Sequence, residues 1–294
     1  MNKNARGILC TLSGGALWGF SGACGQYLFT HYQVDSAWLT VVRMVTAGVL
    51  LTAVNLSRSG KTALAIWHDR RDALQLVVFA LLGLVFSQYA YLTSIGYSNA
   101  GTATVLQYLG PVLIMALVCA YSRKLPDGRE TASIVLAVGG TYLLATHGDP
   151  GTMALSREGL IWGLLSAASL ALYTLLPAGI IPRWGSVTVT GWAMLLGGIV
   201  FACAIRVWTI PVALDVYGWL ATGGVVVMGT VLAYTLYLQG VADVGAVRAS
   251  MLASVEPVSA TLFSVLWLGT QFQWIDLLGF ACIMTTVFLL ARKK

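Results

Sequence analysis

Charge is what this 294-residue sequence has least of: only 10% of it is Asp, Glu, Lys or Arg, with 17 basic and 11 acidic side chains. A soluble domain carries roughly 25%, so most of this chain's surface must face lipid. No paired carboxylates stand out, nor any converging acid, base and nucleophile of the kind an enzyme site needs. The three histidines, His31, His68 and His147, fall in connections between apolar runs. The five cysteines, Cys10, Cys24, Cys119, Cys203 and Cys282, fall inside those runs with no CxxC or CxxH spacing. A free thiol there behaves as a small hydrophobe. No metal and no cofactor is implied. The phosphate-gripping GxxxxGK(S/T) loop is missing too, which excludes ATP-driven pumping by this chain alone. Rings of charge and repeated carbonyl filters, the marks of a channel, are not visible.

What is there is hydrophobic: 58% of the residues, with a mean hydropathy of +0.81. A helix crosses the ~30 Å hydrocarbon core in about 20 residues. Apolar runs near that length lie at 7–29, 36–56, 73–94, 98–121 and 131–147, then at 159–181, 187–207, 215–238, 246–269 and 275–291. Each must be helical, since backbone groups in lipid find partners only within their own segment. The first run is too long for the roughly 7–15-residue core of a cleaved signal and reads as an anchor that stays in the membrane. A net charge of +6 would suggest nucleic acid in a soluble protein, but here the basic residues sit in short gaps between apolar runs, so no nucleic-acid partner is expected. With the N-terminus inside, the cytoplasmic segments hold Lys3, Arg6, Arg58, Lys61, Arg70, Arg71, Arg123, Lys124, Arg129, Arg183, Arg292, Lys293 and Lys294. The outer loops hold Arg157 and Arg206, a bias of thirteen to two. The positive-inside rule therefore predicts both termini in the cytoplasm, in a multi-pass protein of a cell membrane, a bacterial inner membrane being the expected one.

Sliding the chain on itself by 146 residues aligns 83–144 with 229–290. Gly83/Gly229, Tyr91/Tyr237, Leu92/Leu238, Ala100/Ala246 and Pro111/Pro257 coincide. Earlier helices match at larger offsets: Met44/Met194 and Gly48/Gly198 at 150, Gly7/Gly159 and Leu12/Leu164 at 152. Leu and Ala pairs arise by chance in apolar helices, so the paired prolines and the Gly…Tyr-Leu spacing are the more telling matches. Five helices per half is an odd number, so the second half enters the membrane in the opposite direction. Inverted repeats of this kind put a solute site near the midplane between the halves. The stretch Ser98-Asn-Ala-Gly-Thr-Ala-Thr-Val-Leu-Gln-Tyr-Leu-Gly-Pro111 resembles the fourth helix of the EamA family in the drug/metabolite transporter superfamily. Ala249-Ser-Met-Leu-Ala-Ser-Val-Glu-Pro257 is similar to the ninth, and Arg43 and Leu17-Trp18-Gly19 also fit. The resemblance covers nearly the whole chain. It implies ten helices in two five-helix repeats, and often export of amino acids or related metabolites. In one departure, the acidic Gly-Glu pair that often ends the fourth and ninth helices of that family is replaced by Ser122-Arg123 and Gly269-Thr270.

An ionisable group at the bilayer centre costs at least ~2.5 kcal/mol on insertion scales. Three lie inside the runs beyond their outermost two positions at either end: Arg43, Arg248 and Glu256. Arg248 is near the cytoplasmic start of its helix and can snorkel to the interface, a structural role. Glu256 lies about 18 Å along its helix, beside Pro257, which withdraws a donor and frees a carbonyl one turn back. The matching position is Gly110. Glu256 suits the binding of a proton or a cationic solute group; pinning helix packing is the alternative. Arg43, about 10 Å below the outer face and matched by Ala193, can approach Glu256, hold a solute carboxylate, or cap carbonyls freed at Pro111 or Pro257. Trp38, Trp67, Trp184, Trp208, Trp219, Trp267 and Trp274 fall near interfaces, where Trp is an anchor. Trp18 is at mid-helix among Gly14, Gly15, Gly19 and Gly22. Those glycines permit close helix contact or leave room for a ligand on which the indole stacks. Gln88, Tyr89, Gln107 and Tyr108 put four amide and hydroxyl groups into one hairpin, and Tyr173 and Tyr234 are further mid-membrane polar groups that need partners.

The expectation is an all-α polytopic membrane protein of ten transmembrane helices in two inverted five-helix repeats, 1–147 and 152–294. It carries a small organic solute by alternating access and is no enzyme. Export of amino acids or related metabolites is the first expectation, import of a polar or cationic metabolite the second. Trp18, Gln88, Tyr89, Gln107, Tyr108 and Glu256 are the expected solute contacts, Glu256 and Arg43 the cavity charges, and Pro111 and Pro257 the helix breakers. The partners are the solute, the lipid bilayer and, through Glu256, protons; monomer and dimer both stay open.

Overall fold

The computed structural model describes residues 2–291 except 124, 150 and 152, so Lys124, Arg292, Lys293 and Lys294 of the basic residues counted above lie outside the described residues. Among the described residues there are ten long helices: α1 Lys3–Tyr32, α2 Ser36–Arg58, α3 Arg70–Tyr97, α4 Ala100–Tyr121, α5 Gly128–Thr146, α6 Arg157–Leu175, α7 Ser186–Ala204, α8 Val216–Val244, α9 Arg248–Leu266 and α10 Trp274–Ala291. Eight of them, all but α5 and α10, are long and apolar enough to cross a membrane. α5 and α10 pack on each other, with Gly140 and Gly279 at the contact, and complete the set. Large apolar side chains such as Leu74, Leu82, Leu117, Val135 and Val138 are exposed on the outside of the bundle, as lipid-facing positions should be.

Capping chemistry moves several ends from where hydropathy alone puts them. The Asp127 side chain accepts from the N–H groups of Arg129 and Glu130, while Glu130 accepts from the Asp127 N–H. This capping box starts α5 at Gly128 and lengthens the short fifth run. Asp69 likewise starts α3 at Arg70 by accepting from Arg71 and Asp72. α6 stops at Leu175 rather than near 181, because Pro177 has no N–H to continue the ladder. The tight hairpin between α3 and α4 is made by Ser98 and Asn99, and Asn99 caps α4 through the Thr102 N–H.

Polar cross-links between helix ends fit strict alternation of direction. At the face of the N-terminus, Arg6 pairs with Asp243 at 2.8 Å and Arg183 with Asp72 at 2.7 Å. At the opposite face, His147 meets Asp276 at 2.8 Å, Ser156 donates to the Tyr97 carbonyl, and Tyr32 donates to Asp215. The Tyr32 hydroxyl first, and then the Gly218 N–H, hold the Asp215 carboxyl below the ordinary carboxylate range. The stabilisation from this contact is therefore present at neutral pH and is lost as pH falls through the lowered value.

The helix contacts repeat with the sequence. α1 packs on α8 and α9, α6 packs on α3 and α4, and α2 meets α7 between them. One segment of α3, Phe79–Val85, and one of α8, Gly224–Leu232, widen to π-helical turns, and they correspond at the 146-residue offset. The α3 segment packs on α7 and the α8 segment on α2. α4 breaks at Tyr108–Leu109 and α9 at Ser254, again corresponding positions. At the α2–α7 crossing, a Cβ on Gly48 would strike the backbone of Leu195, and one on Gly198 would meet Val45 N at 3.0 Å. The glycine pair read from the repeat is a pair of close backbone approaches.

Gly48→Val should force α2 and α7 apart, with the ~1–3 kcal/mol typical of overpacking. It should lower the unfolding temperature of the purified protein, whereas Gly139→Val, where a Cβ meets nothing within 4 Å, should leave it unchanged by the same thermal-shift measurement.

Candidate functional site

The glycines of α1 bring its backbone against two neighbours. A Cβ on Gly14 would lie 3.0 Å from the Ala233 carbonyl of α8; one on Gly15 would lie 2.9 Å from the Ala253 carbonyl of α9, and one on Gly19 2.7 Å from the Glu256 carbonyl. Close contact is therefore their use. It sets Trp18 against two rings of α8, Tyr234 at 5.3 Å between centroids and Tyr237 at 5.1 Å.

The two helix breaks meet across the same space. Pro257 cannot donate to the carbonyl of Ala253 one turn back. The one O–H of Tyr108, at the break in α4, is shared between that carbonyl at 3.3 Å and the Glu256 carboxyl at 3.2 Å. Of the roles open to Arg43, capping this carbonyl is not the one adopted. Arg43 is buried, and its Nε donates to Thr230 Oγ1 at 3.1 Å, within the π-helical turn of α8. α3 and α4 are linked by a bond between the Tyr91 and Thr104 hydroxyls at 2.8 Å.

Between these groups lies a cavity of about 580 Å³. Trp18, Arg43, Gln88, Gln107, Tyr108, Pro111 and Glu256 all line it, from five different helices and both halves of the chain. Pro257 is buried outside the lining; the half-buried Tyr89 ring is also outside it and packs on Trp162 and Phe201 at 5.4 and 5.5 Å. One residue along a helix turns the side chain by about 100°, so Gln88 and Tyr91 face the cavity while Tyr89 faces α6 and α7. Arg248 is exposed at the helix end and donates to Asn4 at 3.0 Å, tying α9 to α1.

Tyr91, Tyr173, Tyr234 and Tyr237 also line the cavity. The last two are those that meet Trp18. Tyr91 and Tyr237 are an identical pair in the repeat, a signal of shared position that marks them without naming their role. Toward the face of the termini the walls are Thr174, Ser250, Met251, Val287 and Leu290, at the ends of α6, α9 and α10. No group of three His, Cys, Asp or Glu side chains that could hold a metal is present among the described residues.

The fold is thus that of a polytopic membrane protein, with a ring-walled chamber carrying a few polar groups where its two inverted halves meet. The sequence profile of the EamA-like transporter family matches residues 5–146 and again residues 157–292. The chain is 36% identical over 291 residues to the uncharacterized inner membrane transporter YicL of Salmonella typhimurium, covering 99% of this chain and 97% of that one. It is 25% identical to the uncharacterized transporter YetK of Bacillus subtilis, over 85% and 76% of the two chains. A crystal structure at 18% identity superposes with a TM-score of 0.62 over 97% of this chain and 96% of its own, a likeness of fold alone. This chain belongs to the EamA-like transporter family, a family of membrane transporters and not of enzymes.

Tyr108→Phe should leave the Ala253 carbonyl and the Glu256 carboxyl without their donor. A loss of about 1–3 kcal/mol is the usual penalty for orphaning a buried acceptor. It should appear as a lower midpoint in thermal denaturation of the detergent-solubilised protein, and an unchanged midpoint would mean that the bond contributes nothing.

Proposed function

We propose that this transporter moves amino acids or closely related metabolites out of the cell by alternating access, with the solute held in the mid-membrane cavity. The observation that carries this is one carboxyl, Glu256, and one guanidinium, Arg43, lining a single cavity of about 580 Å³. Each is hydrogen-bonded to a neutral hydroxyl, of Tyr108 and Thr230 respectively. A zwitterion brings an ammonium for the first and a carboxylate for the second, while its side chain meets the rings of Trp18, Tyr91, Tyr173, Tyr234 and Tyr237. The volume is within the ~300–1,000 Å³ of small-ligand sites. Gln88, Gln107 and Tyr108 supply the remaining polar contacts; Tyr89 serves packing. Segments 1–147 and 152–294 are the two units that rock about the site, and Glu256 is the group through which protons are coupled.

The basic residues of the loops support an orientation with both termini in the cytoplasm, and the name of the Salmonella relative supports the inner membrane. A second reading, uptake of a cationic metabolite, is favoured by the tyrosine rings around a lone carboxyl.

Counterflow in proteoliposomes against labelled amino acids, amines and nucleosides tests the class of solute. Exchange of amino acids is expected; exchange of amines alone would replace it with the cationic reading. Glu256→Gln should exchange solute more weakly, having lost the carboxylate that meets the ammonium, and under an imposed pH gradient it should lose the gradient-driven accumulation. Accumulation equal to that of the unaltered protein would remove Glu256 from proton coupling. Reporter fusions in the 57–72 loop should report a cytoplasmic position, and an external signal would reverse the orientation.

A further inference from the structure

At the face opposite the termini, the Gln26 side chain of α1 is joined to three separate elements. Its Oε1 accepts from the Ala100 N–H at 2.9 Å and from Ser264 Oγ at 2.9 Å, and its Nε2 donates to Thr270 Oγ1 at 2.8 Å. Ala100 opens α4, so its N–H is one of the helix-start donors that have no partner within the helix. Ser264 is near the end of α9 and Thr270 is in the link to α10. The amide is buried, at 9% exposure. Around it the first half of α4 packs on the second half of α9, where a Cβ on Gly101 would lie 2.8 Å from Thr261 Oγ1 and 3.0 Å from the Phe272 ring. That end of the pathway is shut.

The corresponding surfaces at the face of the termini are apart. There the second half of α4 packs on α5, α6 and α10 and the first half of α9 on α1, α8 and α10, while Thr174 of α6 and Ser250 and Met251 of α9 line the cavity. The repeat registers put Ala178 where Gln26 stands and Val118 where Ser264 stands. Neither side chain can hydrogen-bond, so closing the face of the termini cannot form the same link.

We infer that Gln26 is a one-sided latch: it holds the face opposite the termini shut, and the lack of a counterpart biases the transporter toward the state open at the face of the termini. This rests on the alternating-access reading above. The bias follows because a contact made in one state and absent from the other shifts their populations by its differential strength. Losing hydrogen bonds of ordinary net strength should move the ratio of the two states by about tenfold.

Hydrogen–deuterium exchange of the full-length protein in lipid nanodiscs tests the latch without a known solute. Gln26→Leu should speed exchange, by up to about tenfold, in residues 97–104 and 262–271, and should slow it in residues 112–123 and 246–252. Ser264→Ala should give the same pattern more weakly. The slowing is decisive, because local loosening or partial unfolding around position 26 cannot protect the other face. Faster exchange at the first pair of segments alone, or no change at either, overturns the latch. Gly101→Trp, which must wedge α4 from α9 whatever Gln26 does, separates the two ideas. Reciprocal exchange in Gly101→Trp but not in Gln26→Leu leaves alternating access standing and removes the latch; opening without reciprocal protection in both removes both.

Discussion

The carbonyl of Ala253 is the point on which the chamber turns. In lipid every backbone group must be satisfied by its own segment, and irregular backbone is tolerated only where protein or a cavity surrounds it. Pro257 removes the donor this carbonyl would have in a continuous helix, and the Tyr108 hydroxyl supplies another from the opposing break in α4. The same hydroxyl reaches Glu256. A single phenol thereby joins two interrupted helices from opposite halves and fixes the carboxyl at the wall of the cavity. The proline that makes the break and the residue that repairs it are 149 positions apart in sequence, so neither half can build the site alone.

Pseudo-symmetry lays out the frame, and its departures furnish the chemistry. Gly110 stands where the second half has Glu256, and the reason is steric: a Cβ there would already lie 3.0 Å from Leu170 and 3.2 Å from the Ala167 carbonyl of α6. A carboxylate at that position has no room. Ala193, the mate of Arg43, is wholly buried in the cluster of Met44, Val85 and Met194 and faces no cavity. Each half thus supplies one charge, and at the matching position of the other half close packing stands instead.

How much of this was legible depends on whether the feature repeats. Gly48 and Gly198 were readable as a pair, and both prove to be backbone contacts across α2 and α7. The prolines marked the breaks in α4 and α9 for the same reason. Tyr91 and Tyr237 were readable as a pair but not as cavity walls, because apolar composition all round a membrane helix erases the polar stripe that would orient it. That is also why Gln88 and Tyr89 could not be told apart: adjacent residues point in different directions, and only the neighbours on α6 and α7 decide which is inside. The π-helical turns left no mark, since one extra residue in a turn changes no motif. They matter nonetheless, for Thr230, the partner of Arg43, stands in one of them.

The placing of charge separates structure from function within this bundle. The Arg6–Asp243 and Arg183–Asp72 ion pairs and the His147–Asp276 contact all lie at helix ends, where water and headgroups are near. The two charged groups at mid-membrane form no such pair; each is given one neutral hydroxyl and an edge of the cavity. If the purpose of Arg43 and Glu256 were to hold the fold, pairing them with each other would offset much of the desolvation each incurs. A fold that leaves them unpaired with each other, in one chamber walled by aromatic rings, gives up that offset. On the function proposed above, a bipolar solute supplies the two partners that the fold withholds.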